Sequence, residues 1–112
     1  EPITRALLQA ILRKAGYQVT ITSSYDEAFA AWQRGSFHLI IADFFLEGRQ
    51  TGADFVREIR AAGKNVPAIA LSIAEHSQNR EDIDLAGFDC YLPKPIDVRV
   101  LSDTVAKLLA SA

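Results

Sequence analysis

The sequence has no methionine and a single cysteine, Cys90, among its 112 residues. One cysteine cannot pair within its own chain, so a scaffold held together by internal disulfides is excluded. The apolar runs are short, and the run Phe37–Ala42 is far below the roughly 20 residues that a membrane-spanning helix needs. Because a reading frame starts with methionine, we expect residues 1–112 to be one domain of a longer chain.

Neither sign of charge is in large excess. The chain carries 12 Lys and Arg residues against 14 Asp and Glu residues, its formal net charge is −2, and no basic run is longer than Arg13-Lys14. Nucleic acids and anionic membranes attract proteins through concentrated positive charge. We therefore expect no direct contact with nucleic acid or with a membrane, and a cytoplasmic protein that contacts other proteins.

Helical and strand patterns alternate along the chain. Apolar residues spaced three or four apart predict helices, and short runs rich in β-branched residues predict strands. This alternation is typical of an α/β fold, in which right-handed crossovers build a parallel sheet with helices on both faces. The predicted elements are, in chain order, a helix ended by Gly16, a strand Tyr17–Thr22, a helix with a capping box of Ser24 and Glu27 that is ended by Gly35, a strand Phe37–Ala42, a helix between Gly52 and Gly63, a strand Ala68–Leu71, a weaker helix Ser77–Ala86, a strand Asp89–Leu92, and a final helix capped by Asp97 with the inward residues Val98, Leu101, Val105, Leu108 and Leu109.

Polar residues follow three of the predicted strands. Asp43 and Ser72 come directly after their strands, and Lys94 lies two residues past the last strand. The carboxyl ends of parallel strands meet at one edge of the sheet, where open α/β sheets bind their ligands. Neighbouring strands are about 4.8 Å apart, so a lysine side chain can reach across one intervening strand. We expect a carboxylate, a hydroxyl and an ammonium group to converge on one pocket.

This combination suits phosphoryl chemistry. A carboxylate such as that of Asp43 can attack a phosphoryl group and form an acyl phosphate, provided that cations neutralise the phosphoryl oxygens. Lys94 offers one positive charge, and the Ser72 hydroxyl can bond a phosphoryl oxygen once that oxygen is present. We expect Mg²⁺ to supply further charge, held by Asp43 and the backbone carbonyl of Phe45. Glu1 is the only other carboxylate that we place nearby.

Four features resemble the receiver domain of two-component response regulators: the run Leu39–Asp43, the loop with Leu46 and Gly52, Ser72 after its apolar strand, and the stretch Ala86–Pro95. The likeness extends over the entire chain, and the separations between Asp43, Ser72 and Lys94 agree with the family. The resemblance implies a flavodoxin-like, doubly wound parallel sheet with the strand order 2-1-3-4-5. It also implies individual roles: Asp43 as the phosphoacceptor, Ser72 as the switch hydroxyl, Tyr91 as the switch aromatic, Lys94 as the lysine of the phosphoryl site, and a cis peptide bond before Pro95.

The first strand of that family, and the acidic pair that ends it, lie upstream of this chain if the resemblance holds, because the segment Glu1–Arg5 resembles the stretch just after that strand. The family's first strand is central in the sheet, between the predicted strands that begin at Tyr17 and Phe37. Without it, two strands would stand roughly 9.6 Å apart with unpaired backbone groups facing each other. We therefore expect either a missing N-terminal segment or a replacement strand from another chain.

By this resemblance the chain is a signalling phosphoacceptor that performs at most self-catalysed phosphotransfer and autodephosphorylation. A histidine kinase or a histidine phosphotransfer protein would donate the phosphoryl group to Asp43, with Mg²⁺ as the cofactor. Ser72 and Tyr91 would relay its presence to a face formed by the predicted helix Ser77–Ala86, the last strand and the last helix. The same face is where the resemblance places a homodimer contact.

Other interpretations remain open at this point. A degenerate receiver would keep the fold and bind a partner without phosphorylation, which becomes the better interpretation if the acidic pair is truly absent. A phosphatase with an aspartate nucleophile is disfavoured, because such enzymes usually carry a second acid where this chain has Phe45. A flavin-binding protein of the same topology is disfavoured because its phosphate loop would be rich in Ser, Thr and Gly, unlike Phe44–Leu46.

Overall fold

In the part of the chain that the structure describes, a three-stranded parallel sheet lies between two pairs of helices. The computed structural model describes residues 2–43, 51–73 and 87–110. Within these ranges the elements are, in chain order, α1 (Pro2–Lys14), α2 (Tyr25–Arg34), β1 (Ile40–Asp43), α3 (Thr51–Ala61), β2 (Ala68–Ile73), β3 (Cys90–Lys94) and α4 (Val98–Ala110). The predicted helix Ser77–Ala86 lies outside the described residues.

The strands are neighbours in the order β1-β2-β3, and both pairings are parallel. Asp43 of β1 is level with Leu71 of β2, and Leu71 is level with Leu92 of β3. Parallel strands need crossover connections, which put helices on the faces of the sheet. The predicted α/β fold with a parallel sheet is confirmed.

The two faces of the sheet are covered by different helices. Helices α2 and α3 pack on one face, and helices α1 and α4 pack on the other. The central strand β2 contributes side chains to both faces, since its residues alternate between them and Ala68 to Leu71 are at most 2% exposed. The first cluster includes Ile40, Ala53, Phe55, Val56, Ile59, Ala68 and Ala70. The second includes Leu8, Leu12, Ile69, Leu71, Leu92, Leu101 and Val105.

The predicted Ser24 cap of the second helix is confirmed, but the return bond of the predicted capping box involves Ser23 rather than Ser24. The Ser24 hydroxyl accepts a hydrogen bond from the Glu27 backbone N–H at 3.1 Å, and α2 ends just before Gly35. The Glu27 carboxylate reaches back to the backbone N–H and the hydroxyl of Ser23, at 2.8 and 2.9 Å. These bonds favour the charged carboxylate, so they lower the pKa of Glu27 below its ordinary value.

The prediction of a strand at Tyr17–Thr22 is wrong for the described structure. The alternation that suggested it is real, since Tyr17 and Val19 are half-buried against the α1 and α4 side of the core. A strand, however, is defined by hydrogen bonds to a neighbour, and no strand among the described residues pairs with this segment. A cavity of about 220 Å³ lies beside it instead, with Thr20, Thr22 and Ser23 among its lining residues, and with Leu39 to Asp43 lining it as well.

Other boundaries differ by a few residues from the predicted ones. Strand β1 begins at Ile40 rather than Phe37, β2 continues through Ser72 to Ile73, and β3 runs on to Lys94. The reason is that hydrogen-bonded pairing with β2 sets where these strands stop, whereas the sequence shows only the apolar run. The predicted inward orientation of Val98 in α4 is wrong, because Val98 is 48% exposed.

A polar network joins the far end of α3 to the sheet. The Arg60 side chain donates hydrogen bonds to the Gly87 and Lys64 carbonyls, both at 3.1 Å, and pairs with the Asp89 carboxylate at 3.1 Å. The same Asp89 oxygen accepts the Ala68 backbone N–H at 2.8 Å. Since Ala68 is fully buried, the carboxylate satisfies a donor at the entrance of β2 that water reaches poorly.

We predict that Asp89→Ala lowers the free energy of unfolding by about 1 to 2 kcal/mol, because it leaves the Ala68 N–H without its acceptor. The half-exposed ion pair with Arg60 contributes little of this. Urea denaturation measures the change. The matched control is Asp103→Ala, which removes an exposed carboxylate from α4 and is expected to change stability by less than about 0.5 kcal/mol. Equal effects of the two substitutions would contradict this role of Asp89.

A second prediction concerns the edge of β1 that faces the cavity. The Ile40 N–H donates to the Pro67 carbonyl at 2.9 Å, toward β2. Successive N–H groups of a strand point to opposite edges, so the Ile41 N–H points away from β2. In the 112-residue chain we expect the Ile41 amide to exchange with deuterium roughly tenfold or more faster than the Ala42 amide. Equal protection, measured by NMR, would show that another segment pairs with this edge.

Candidate functional site

The carboxyl ends of the three strands form one rim, as the sequence predicts. Asp43 is the last residue of β1, and Lys94 is the last residue of β3. Ser72 lies between them in the strand order, on β2, where it pairs with Pro93. The structure therefore brings the three predicted residues to one edge of the sheet.

Asp43 and Lys94 form an ion pair across the central strand. Both side chains are largely sheltered, with 18% and 17% of their surface exposed. They share a face of the sheet, since Ile41 and Leu92, two residues before them on their strands, both belong to the α1 and α4 side of the core. Burying either charge alone would cost several kcal/mol, so each stabilises the other in this position.

The carboxylate of Asp43 keeps unused bonding capacity. Its Oδ1 atom is fully enclosed, and among the described residues its one partner is the Lys94 ammonium group, with no further hydrogen bond. A carboxylate oxygen has room for more than one donor or cation. The site is thus suited to accept an additional positively charged or hydrogen-bonding group.

Ser72 and Tyr91 belong to the opposite face of the sheet. Ser72 is 3% exposed and, by strand alternation, shares the face of Ala68 and Ala70, against α2 and α3. Tyr91 is half-buried and packs against that same cluster. The two predicted switch residues therefore share a face, whereas Asp43 and Lys94 share the other.

Sequence reasoning missed Arg5 as a neighbour of this region. Arg5 is half-buried and lines the same cavity as Asp43. A signal for it was present in its spacing: Arg5 stands three residues before Leu8 and seven before Leu12, both of which are buried residues of α1. That spacing puts all three on one face of the helix.

The predicted magnesium site falls only partly within the described residues. They contain no group of three or more His, Cys, Asp or Glu side chains that could hold a metal ion. Asp43 supplies one enclosed oxygen with spare capacity, which fits an ion held mostly by water or by phosphoryl oxygens rather than an all-protein cage. The predicted second ligand, the Phe45 carbonyl, and the candidate Glu1 lie outside the described residues.

Two further features bear on the predictions from sequence. The peptide bond between Lys94 and Pro95 is cis, as predicted. Among the described residues, no helix has both the length and the apolar character that crossing a membrane requires.

A protein-family model described as the response regulator receiver domain matches residues 1–106. Among curated proteins, the chain is 30% identical over 104 residues to the transcriptional regulatory protein ZraR of Salmonella typhimurium. That match covers 93% of this chain but only 23% of the regulator's length. The likeness therefore concerns one part of a longer protein, and says nothing of the rest of it.

Two solved structures are similar over nearly the whole chain. The receiver domain of TorR, the response regulator of the TMAO respiratory system, superposes with a TM-score of 0.90 at 29% identity, covering 99% of this chain and 91% of that one. The receiver domain of the sensor histidine kinase PA1611 from Pseudomonas aeruginosa PAO1 has a TM-score of 0.84 at 30% identity, with coverage of 98% and 91%. That structure holds a magnesium ion in its active site cleft.

Proposed function

Because the chain belongs to the response regulator receiver domain family of two-component signalling, we propose that it accepts a phosphoryl group on Asp43 from a histidine kinase or a histidine phosphotransfer protein. The observation that carries the proposal is the sheltered pair of Asp43 and Lys94 at the carboxyl edge of the sheet. It joins a nucleophilic oxygen to a fixed positive charge, which are the two groups that phosphoryl transfer to a carboxylate requires.

The proposed reaction moves one phosphoryl group. A carboxylate oxygen of Asp43 attacks phosphorus while the phosphorus–nitrogen bond to the donor's histidine breaks, and the imidazole leaves with the bonding electron pair. The product is an acyl phosphate on Asp43. The Lys94 ammonium, already beside the carboxylate, neutralises charge on the phosphoryl oxygens during the transfer. The chain thus acts as a signalling phosphoacceptor that contributes to its own modification.

We propose Mg²⁺ as the cofactor of this reaction, since a receiver domain of 30% identity holds magnesium in its cleft. In this chain Asp43 would contribute a carboxylate oxygen and Phe45 its backbone carbonyl. When bound, the ion supplies positive charge that offsets the charge of the phosphoryl oxygens. Asp43 is already placed for this, because its Oδ1 atom is enclosed and retains bonding capacity.

The proposed response passes from Ser72 to Tyr91. The Ser72 hydroxyl would donate a hydrogen bond to a phosphoryl oxygen, and Tyr91 on the same face would then shift its packing against the α2 and α3 cluster. Such a switch needs two states within a few kcal/mol of each other. Its output face would include β3, α4 and the segment 77–86, and the exposed Val98 and Val100 at the start of α4 suit contact with a partner or a second copy.

We place the protein in the cytoplasm, which keeps a free thiol such as Cys90 reduced.

A second candidate is a degenerate receiver that binds its partner without phosphorylation. It is favoured by the metal chemistry of the described residues, which offer a single carboxylate at the rim and no cluster of three potential ligands. One carboxylate holds Mg²⁺ weakly. Magnesium affinity therefore separates the two candidates.

We predict that the protein becomes labelled by radioactive acetyl phosphate in the presence of magnesium, and that Asp43→Asn abolishes the labelling. The side-chain amide of the substituted residue cannot form an acyl phosphate. Hydroxylamine cleaves an acyl phosphate, so treatment with it distinguishes a labelled aspartate from a phosphoserine. Asp54→Asn is the matched control, since Asp54 is an exposed carboxylate near the start of α3, and it is expected to label like the unsubstituted protein. Labelling that survives in Asp43→Asn would contradict the assignment.

We further predict that the chain extended upstream of Glu1, where we expect the acidic pair, binds Mg²⁺ with a dissociation constant in the millimolar range or tighter, as measured by isothermal titration calorimetry. Asp43→Asn is expected to weaken binding at least about tenfold, because it removes a charged oxygen ligand. No measurable binding by the unsubstituted protein would favour the degenerate receiver.

A further inference from the structure

Gly52 occupies a position where no other residue fits. A Cβ atom added to Gly52 would lie 2.1 Å from the carbonyl oxygen of Asp43, 3.0 Å from its carbonyl carbon and 3.1 Å from the Cβ of Ala42. A carbon and an oxygen that are not bonded do not approach to 2.1 Å, so one of the two backbones would have to move. The contact is with main-chain atoms, which cannot rotate away as a flexible side chain can.

Space, rather than backbone conformation, makes glycine necessary here. Gly16, Gly63 and Gly87 have positive φ angles, which L-residues with a side chain rarely adopt, but Gly52 is not among them. It is the second residue of α3, and its bare Cα lets the first turn of the helix rest directly on the backbone of Asp43.

Helix α3 has little freedom to give way. Ala53, Val56 and Ile59 on its inner face are at most 1% exposed. At its far end Arg60 is bonded to the Gly87 carbonyl and the Asp89 carboxylate. Close-packed interiors transmit strain rather than absorb it. A side chain at position 52 would therefore displace the end of β1, which carries Asp43.

We propose that Gly52 is a positioning residue for Asp43: its missing side chain fixes the distance between α3 and the Asp43 backbone, and so holds the carboxylate against Lys94. This inference rests on the proposed function of Asp43 as the phosphoacceptor. Misplacing a reacting group by about 1 Å can slow a reaction by roughly a hundredfold. Gly52 thus tunes the rate of phosphoryl transfer without touching the phosphoryl donor.

The experiment compares Gly52→Ala with Gly63→Ala. Gly63 follows the other end of the same helix, has a φ of 81° and would present its Cβ to open space, with nothing within 4 Å. Gly63→Ala therefore strains the backbone and lowers stability without pushing on Asp43. We measure the rate constant of labelling by acetyl phosphate and magnesium, corrected for the folded fraction of each variant.

We expect Gly52→Ala to label about a hundredfold more slowly than the unsubstituted protein, with the maximal rate falling and the half-saturating acetyl phosphate concentration changing little. Gly63→Ala is expected to stay within about threefold per folded molecule. The NMR signal of the Lys94 ammonium group gives a second readout, which is expected to shift in Gly52→Ala and to stay in place in Gly63→Ala. Equal labelling rates for the two variants, per folded molecule, would overturn the inference.

Two outcomes need separate treatment. If Gly52→Ala is too unstable to fold, all variants are compared in trimethylamine N-oxide, which favours the folded state of each. If the unsubstituted protein takes no label, the proposed function fails. The Lys94 signal then decides the positioning role by itself, and an unshifted signal in Gly52→Ala overturns it.

Discussion

The ion pair between Asp43 and Lys94 ties the chemistry of this chain to the register of its sheet. The two residues sit on the outer strands of the described sheet, and the lysine side chain spans the strand between them. Each charge is largely withdrawn from water, so each depends on the other for its stability. A slip of one residue in either strand would turn one of the two side chains to the opposite face and leave both charges unpaired.

Helix α3 holds this register from both ends. Its first turn rests on the Asp43 backbone through Gly52, and its last turn is bonded through Arg60 to the residues that lead into β3. Its inner face is buried, with Ala53, Val56 and Ile59 at most 1% exposed, so the helix joins the end of the strand that carries Asp43 to the residues just before the strand that carries Lys94. The same rigidity makes the site sensitive to a single added methyl group.

The two faces of the sheet have different parts in the proposed signal. Asp43 and Lys94 lie toward α1 and α4, whereas Ser72 and Tyr91 lie toward α2 and α3. Information about a phosphoryl group on Asp43 must therefore cross the sheet, and Ser72 is placed to carry it because β2 contributes residues to both faces. Strand β1 also has an open edge. Among the described residues a cavity, rather than a neighbouring strand, lies beside it.

The sequence by itself determined the alternation of helices and strands, the parallel α/β class, the caps at Ser24 and Asp97, and the grouping of Asp43, Ser72 and Lys94 at one rim. These follow from local periodicity and from the rule that parallel strands end at a common edge, both of which are properties of short stretches of chain. Only the tertiary structure decided that Tyr17–Thr22 has no strand partner among the described residues, that Val98 faces outward, that Ser72 lies within β2, and that Gly52 meets the Asp43 carbonyl. Each of these depends on which residues distant in sequence come into contact, and hydrogen-bond partners and close backbone contacts leave no periodic trace in the amino-acid order.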